Sequence, residues 1–448
     1  MPPLSEPVAR YHNLLEHDGY RDLGWAEQLQ EQMRLCNLAE SGRLLAPVLR
    51  PHFVTARQLE NLTRVSEQLA AILSQVEALA LESRTLLERL HMLPAEKMLA
   101  AIPSGSSRFT VTSRLNLRLQ NGSLSMRGVD TCKAAGLAYS DCLSDLFLDL
   151  PIVKEFKRGN YKLSKLGGVK QLRSALLQAW KEFGGTDQPN IAVIEAVQPS
   201  AGGEARLLVE MLARLGSPAR LVSPERLEYT NGRLTSEGIR FDIGFRRLLT
   251  RELLVRSDLS HPLLRAYRDG AVCLVNGFRS EVAQRRSLFD LLTDETVTSR
   301  LSSAEHKLIR TFVPWTRVVS QRKTQYKGEE IDLPEFILRS QEHLVLLPNE
   351  DESGRHSFVG AEITATAWER ALRLALQAPY VVQERSHAAR EMFPVFAYGE
   401  LKMKEADVCV HPHVFNGQVQ GASASLEAAA PAMQSPFAIA PVFLLEEK

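Results

Sequence analysis

The stretch from Leu344 to Gly360, LVLLPNEDESGRHSFVG, constrains this chain more than any other. Leu344, Val345, Leu346 and Leu347 make an apolar run too short for a helix and suited to a buried strand. Pro348-Asn349 stop it, because proline has no amide hydrogen for a sheet ladder. A polar turn follows, and Ser357-Phe358-Val359 start a second strand. Strand, turn and strand make a flap of the kind that covers the phosphates of a bound nucleotide. Such a flap needs glycines for close backbone approach and a lysine for charge. Here the turn holds one glycine, Gly354, and the strand holds no lysine.

At 448 residues the chain predicts two or three domains. Apolar content of 44% and charged content of 24% suit a water-soluble globular protein. Net charge is +1, from 54 Lys+Arg against 53 Asp+Glu, which gives no global drive toward nucleic acid or an anionic membrane. No apolar run approaches the roughly 20 residues needed to span a bilayer. The N-terminal segment lacks a basic-then-apolar leader pattern, so the cytoplasm is the expected location. The cysteines at 36, 132, 142, 273 and 409 form no Cys-x-x-Cys, and their odd number argues against a disulfide framework.

Thr55 to Leu93 contains no Gly or Pro and predicts one long helix. Its apolar seam, Leu62, Val65, Leu69, Ile72, Val76, Leu79, Leu86 and Leu90, is broken at Ser83. The seam predicts either packing within its own domain or an intermolecular coiled coil. Alternating runs around Asn121-Gly122 predict a hairpin within 108–128. The basic segment 154–173 predicts a solvated face, with an anion patch as the sharper possibility. From 190 strands alternate with helices: Ile191–Ile194, Glu204–Leu215, Ala219–Val222, Phe241–Ile243, Pro262–Asp269 and Val272–Val275. A second hairpin is predicted around Asn231-Gly232. This order predicts a mostly parallel sheet with helices on both faces. Residues 281–312 predict helix. The last unit, from 333, predicts strands near 344, 357, 380 and 408, a helix over Thr366–Leu376, and an Ala/Ser/Pro-rich insert over Ala422–Ser435.

Eight segments, in order, resemble the circularly permuted ATP-grasp proteins related to glutathionylspermidine synthase. They are Gly136–Asp141, Phe241–Arg247, Val275–Ser280, Ser287–Asp294, Val313–Arg317, Val345–Glu350, Trp368-Glu369 and Pro379–Glu384. The resemblance covers roughly residues 100–448. It implies an α/β, circularly permuted ATP-grasp fold with an N-terminal helical segment. The expected units are 1–98, helical; 99–190, an ATP-grasp part carrying the metal-ligand segment; 191–330, an α/β domain; and 331–448, an ATP-grasp part carrying the phosphate loop. It also implies an enzyme that activates a carboxylate as an acyl phosphate for attack by an amine, using ATP and Mg²⁺.

The chain departs from that pattern where the chemistry lies. Gly128 stands at the metal-binding glutamate, Asp130 at the following asparagine, and Asn116 at an upstream aspartate. Leu347 stands at the strand lysine, Ser353-Gly354-Arg355-His356 at the glycine-rich tip, and Ser425 at a late arginine. Asp130 is left as the metal candidate, a single carboxylate for a Mg²⁺ site. Arg286, Arg355, Gly354, Gln383, Glu384, Arg246 and Arg279 match or keep charge and form a remnant nucleotide or anion site. For the arginines, intramolecular ion pairs that hold the fold are the competing explanation. Arg247 and Ser280 also match.

Other constellations carry less. His411-x-His413 is half a metal site. Ser320-x-x-Lys323 lacks its companion signatures. Cys132 and Cys142, ten residues apart, show no activating base. Two function classes follow. One is an inactive ATP-grasp homologue without a nucleotide cofactor, acting as a binding, scaffold or regulatory subunit for a protein partner in a homo- or hetero-oligomer. The other is an active ATP-dependent carboxylate–amine ligase, with Asp130 and Glu350 or Asp351 on Mg²⁺ and Arg286 and Arg355 on the phosphates.

Overall fold

The computed structural model describes residues 4–40, 42–103, 110–120, 123–196, 203–256, 258–350, 356–386, 389–428 and 437–448. The architecture is mixed α/β. Helices α1 (Ser5–Glu16) and α2 (Gly24–Leu35) precede strand β1 (His52–Thr55) and helices α3 (Ala56–Glu82) and α4 (Arg84–Arg89). The hairpin strands β2 (Thr112–Gln120) and β3 (Ser123–Asp130) lead to α5 (Leu137–Asp149), β4 (Tyr161–Lys165) and α6 (Val169–Glu182). An α/β segment follows: β5 (Ile191–Ile194), α7 (Gly203–Arg214), β6 (Ala219–Val222), β7 (Ile243–Arg246) and β8 (Cys273–Val275). Helices α8 (Glu281–Gln284), α9 (Ser287–Leu292) and α10 (Ser303–Phe312) come next. The last part holds β9 (Thr316–Val318), β10 (Leu344–Pro348), β11 (Phe358–Val359), α11 (Ala365–Ala375) and β12 (Tyr380–Glu384). It ends with β13 (Arg390–Ala397), β14 (Glu400–Phe415), β15 (Gln418–Ala428), β16 (Phe437–Ala440) and β17 (Val442–Glu447).

Three sheets place the candidate site. The largest is antiparallel, in the order β16-β15-β14-β2-β3, with β13 added on β14. A parallel sheet runs β8-β7-β5-β6. A small antiparallel sheet runs β9-β12-β10-β11 and contains the strand-turn-strand flap. A further sheet, β1-β17-β4, pairs the last strand with residues 52–55 and 161–165.

The parallel pairing of the 191–275 strands agrees with the reading of alternating strands and helices. The hairpin at Asn231-Gly232 forms with φ of 51° and 70° at its two turn residues. That is the left-handed geometry that a two-residue hairpin needs and Asn-Gly favours. The strands of the 112–130 hairpin pair as expected, while Asn121-Gly122 lie outside the described residues.

Three expectations need correction. The helix predicted over Thr55–Leu93 ends at Glu82. Ser83 is extended, at φ −114° and ψ 114°, and its hydroxyl accepts from Leu86 N at 3.4 Å to start a separate helix. Helix is likewise interrupted twice within 281–312, at Arg285-Arg286 and between Leu292 and Ser303. The Ala/Ser-rich segment is no insert as far as Ala428, because it forms most of β15. Its alternation of Ala422, Ala424 and Leu426 with Ser423, Ser425 and Glu427 is a strand's period of two hidden under a low-complexity composition. Residues 429–436 lie outside the described ones.

The seam of α3 is used within the chain. Leu62, Val65, Leu69, Ile72 and Val76 share one core with Leu115, Leu117, Val129, Val410 and Val414 of the large sheet and Leu288 of α9. Thr55 starts the helix with a capping box to Gln58, giving its first amides partners. The basic segment presents a solvated face, with Lys154, Arg158, Lys162, Lys165 and Lys170 exposed; Lys165 pairs with Asp141 and Asp145 at 2.8 and 2.6 Å, and Lys162 with Glu446 at 3.1 Å.

Asn276, just past β8, joins two of these sheets. Its Oδ1 accepts from Val111 N (2.9 Å) and Thr112 N (3.1 Å), and its Nδ2 donates to Thr112 O and Thr131 O, both at 2.6 Å. The residue is 1% exposed. Asn276→Leu keeps the volume and strips partners from four buried backbone groups. The expected cost is roughly 3 kcal/mol or more, given ~1–3 kcal/mol for each buried group left unpaired. Urea denaturation of the two proteins measures it.

Candidate functional site

The antiparallel ladder sorts the side chains of the large sheet. Leu115, Leu117, Val129, Val410 and Val414 face α3. Arg114, Asn116 and Arg118 on β2, Gly128 and Asp130 on β3, Cys409, His411 and His413 on β14, and Ser423, Ser425 and Glu427 on β15 share the opposite face. A bulge between Asn116 and Leu117 adds Arg127 to the polar set. This face collects Gly128, Asn116, Asp130, His411, His413 and Ser425, which lie apart in sequence.

The face is occupied by its own charges. Asp130 Oδ2 accepts from Arg114 Nε at 3.0 Å, from Arg114 Nη2, and from Asn116 Nδ2 at 3.1 Å. Arg114 Nη1 donates to Ala135 O at 2.7 Å. Glu427 pairs with Arg118 at 2.7 Å and Arg127 at 3.1 Å. Burial would raise the Glu427 carboxyl, but Arg127 and Arg118 outweigh it and hold it below the usual range. Arg118 Nη1 also donates to Ser386 O at 2.5 Å, tying this sheet to the end of β12.

The histidines carry no charge here. His413 Nε2 lies 3.0 Å from Ser423 Oγ, and His411 Nε2 lies 2.8 Å from Ser425 Oγ. Burial, and then the Arg114 guanidinium, lower both: His413 to about 3 and His411 well below its usual value. Among the described residues, no group of three or more His, Cys, Asp or Glu side chains is arranged to hold a metal ion.

Mg²⁺ fits this face poorly. A Mg²⁺ site needs carboxylates around near-octahedral geometry. Here Asp130 is bonded on one oxygen by a guanidinium, and Gly128 supplies no side chain. A buried amide oxygen, Asn116 Oδ1, has no hydrogen-bond partner among the described residues. A Cβ at Gly128 would come no closer than 3.7 Å to Asn116 Nδ2, so packing does not exclude a side chain there.

The flap keeps its frame for reasons of packing. Leu347 is 7% exposed and packs with Val318 and Val381. Leu344 and Leu346 face the opposite way, into a core with Trp368, Leu372 and Val382. Asn349 Oδ1 accepts from Ser287 N at 2.8 Å, and its Nδ2 donates to Leu90 O at 2.9 Å, so the residue after β10 pins two helical segments. At Gly360 a Cβ would sit 1.9 Å from Gln341 O, and only glycine allows that approach.

The other predicted site residues separate into groups. Arg246 is wholly buried: it pairs with Glu281 and donates to Asn276 O, Leu248 O and Gly277 O at 3.0, 2.8 and 3.1 Å. Arg247 pairs with Glu195 and Glu204 at 2.8 and 2.9 Å, while Glu204 also accepts the first amides of α5 at Gly136 and Ala138. Arg279 donates to Ala100 O and Ala101 O. Ser280 is buried, its hydroxyl donating to Gly277 O at 2.9 Å. Arg286 is beside the flap, donating to Pro348 O at 2.5 Å. Gln383 donates to Thr316 Oγ1 at 3.0 Å. Glu384 accepts from Tyr326 OH at 2.7 Å and pairs with Lys327 at 3.4 Å. Gly354, Arg355 and Asp351 lie outside the described residues. Glu350 pairs with Arg285 and Arg251 at 2.5 and 3.3 Å. Burial, then neighbouring Cys36, push the Cys142 thiol up, the opposite of activation.

Sequence reasoning missed Arg114, Arg118, Arg127, Ser423 and Glu427. The available signal was the alternation in β2 and β15, with every second residue polar.

The histidines make a testable pH response. The folded state holds His413 near 3 while the unfolded chain keeps about 6.5. Between those values the unfolded chain binds the extra proton, so stability falls as pH falls from about 6.5 toward 3, by up to ~1.4 kcal/mol per pH unit for this residue. His413→Gln should flatten the slope of unfolding free energy against pH by about that amount, measured by urea denaturation from neutral to mildly acidic pH.

No family model and no curated protein sequence matches this chain. Among solved structures it is similar to a glutathione synthetase-like effector from Globodera pallida, in apo form, at 12% identity and TM-score 0.63. The match covers 96% of this chain and 98% of that one. A gamma-glutamylcysteine synthetase candidate from Methylobacillus flagellatus matches at 12% identity and TM-score 0.41, over 88% of this chain and 89% of that one. At such identity the likeness concerns the fold alone: the chain has a mixed α/β fold similar to that of the Globodera pallida protein.

Proposed function

We propose that this chain is a circularly permuted ATP-grasp protein that no longer ligates with ATP and instead binds a partner protein as a scaffold or regulatory subunit. The observation that carries this reading is Arg114 seated on Asp130. A guanidinium already neutralises the carboxylate that would hold Mg²⁺, and phosphoryl transfer depends on cations placed on the phosphates. Two further features support it. Leu347 offers an apolar surface, packed with Val318 and Val381, where the resemblance implies a lysine. Ser425 spends its hydroxyl on His411 where the resemblance implies an arginine.

The ligase reading asks more of the same residues. Glu350 would have to leave Arg285 and Arg251 to ligate a metal, and Arg286 would have to leave Pro348 O to meet a phosphate. A binding role asks for none of these changes. It would use the surface, where Met392, Tyr398 and Met403 stand exposed on the β13–β14 hairpin.

Calorimetric titration with ATP and Mg²⁺ should show no Mg²⁺-dependent binding to the wild-type chain. Arg114→Ala combined with Gly128→Glu and Leu347→Lys should bind, with affinity raised by about tenfold or more, the equivalent of ~1.4 kcal/mol or more. Mg²⁺-dependent micromolar binding to the wild type would overturn the loss of nucleotide chemistry. A native-host pull-down that recovers the chain alone, as a monomer, would overturn the partner role.

A further inference from the structure

The cysteines divide by exposure. Cys132, Cys273 and Cys409 are buried, whereas Cys36 and Cys142 are partly open to solvent. These two, far apart in sequence, lie side by side: the Cys36 thiol is the hydrogen-bonding neighbour of the Cys142 thiol. Both pack against one core, which holds Met33 and Leu38 on either side of Cys36 and Ala138 and Leu143 around Cys142. Gly203, the first residue of α7, marks the same junction. A Cβ there would sit 2.6 Å from the Tyr139 hydroxyl oxygen and 3.1 Å from Asn37 O. The residue after Cys36 and the residue one turn before Cys142 therefore meet at one glycine.

The backbone under each thiol is fixed. Cys36 caps the C-terminal end of α2: Leu38 N donates to Met33 O at 2.8 Å and Asn37 N to Arg34 O at 3.0 Å, with Asn37 at φ 57°. That bond pattern, with a left-handed residue after the cap, closes a helix tightly. Cys142 lies inside α5, which is anchored on both sides of it. Asp141 accepts from Val169 N at 2.9 Å, and Ser144 Oγ donates to Ser140 O at 2.7 Å. Two neighbouring thiols on fixed helices need only side-chain rotation, and a small approach of α2 to α5, to bring the sulfurs to the ~2.05 Å of a disulfide.

We propose that Cys36 and Cys142 are a redox modification site, closing reversibly into a disulfide that fastens α2 to α5 when a small-molecule disulfide such as glutathione disulfide accumulates. The Cys36 thiolate attacks one glutathione sulfur, and the other glutathione leaves as a thiolate that takes up a proton. The Cys142 thiolate then attacks the Cys36 sulfur and releases the second glutathione. Two protein thiols are oxidised and one glutathione disulfide is reduced to two thiols. Burial, and then Cys36, push the Cys142 thiol up to about 12, which suits it to the second step rather than the first. The lock bears on the polar face. Arg114 Nη1 donates to Ala135 O just before α5, and a Cβ at Gly136 would lie 3.2 Å from Ser423 Oγ. The pair uses no residue of that face and does not depend on whether ATP binds there.

The full chain, equilibrated natively with mixtures of oxidised and reduced glutathione, is quenched by alkylation, digested and mapped by mass spectrometry. A peptide linking Cys36 to Cys142 should appear and vanish again with dithiothreitol. It should exceed glutathione adducts at either cysteine by about tenfold or more, because a thiol held in place acts at high effective concentration. The urea midpoint should rise on oxidation, and Cys36→Ser and Cys142→Ser should each lose that rise. Mapping of the wild-type chain decides the matter even where a serine variant does not fold. Glutathione adducts without the linked peptide, no oxidation at either cysteine, linkage only in the urea-unfolded chain, or a midpoint that oxidation leaves unchanged would overturn the proposal.

Discussion

The side-chain amide of Asn276 holds the candidate site in place. It leaves the parallel sheet at the end of β8 and satisfies the backbone entering β2 and leaving β3. Those strands carry Arg114, Asn116 and Asp130 within a few residues of the junction. An amide serves here because it offers donors and acceptors at once and carries no charge to desolvate. Arg246, donating to Asn276 O and paired with Glu281, buttresses the same corner. The arginines that the resemblance placed in a remnant nucleotide site thus divide: Arg246 serves the junction, while Arg286 stays beside the flap.

The polar face built on this corner is neutralised from within. Asp130 is bonded by Arg114 and Asn116, Glu427 by Arg118 and Arg127, and the two histidines stay neutral against serine hydroxyls. Asp130 and the two histidines find their partners on the neighbouring strand, which also fixes register there, while Glu427 reaches across β14 to Arg118 and Arg127. In a site for ATP and Mg²⁺ the corresponding charges would be spread between protein, metal and phosphate. Replacing a ligand's cations with guanidinium groups keeps a polar sheet face satisfied without any ligand.

The parts of the fold legible in sequence were those governed by short-range rules. Asn231-Gly232 announced a hairpin because two left-handed residues are needed there, and the buried runs at 191, 219 and 273 announced parallel strands. Leu344–Gly360 was legible as a frame, since an apolar run, a stop at Pro348-Asn349 and a second run from Ser357 follow short-range rules, whereas the close approach of Gln341 O to Gly360 shows only in the fold. Legibility ended where a residue's meaning depends on a distant partner. Arg114 in an alternating strand reads as a solvent-facing charge until Asp130, 16 residues on, is folded against it. Ser423 and Ser425 read as low complexity until β14 brings His413 and His411 across. Ser83 read as a slip in a seam, and only its extended backbone makes it a helix break.

Arg114, bonded to Asp130 Oδ2, leaves that carboxylate no place for a metal ion if the proposed loss of nucleotide chemistry holds. Electron paramagnetic resonance of Mn²⁺ titrated into the wild-type chain, with a non-hydrolysable ATP analogue present, tests it most directly. Mn²⁺ takes the oxygen ligands that suit Mg²⁺ and reports its own coordination. The expected spectrum equals that of Mn²⁺ and the analogue without protein. A protein-bound Mn²⁺ signal that Asp130→Asn removes would contradict it.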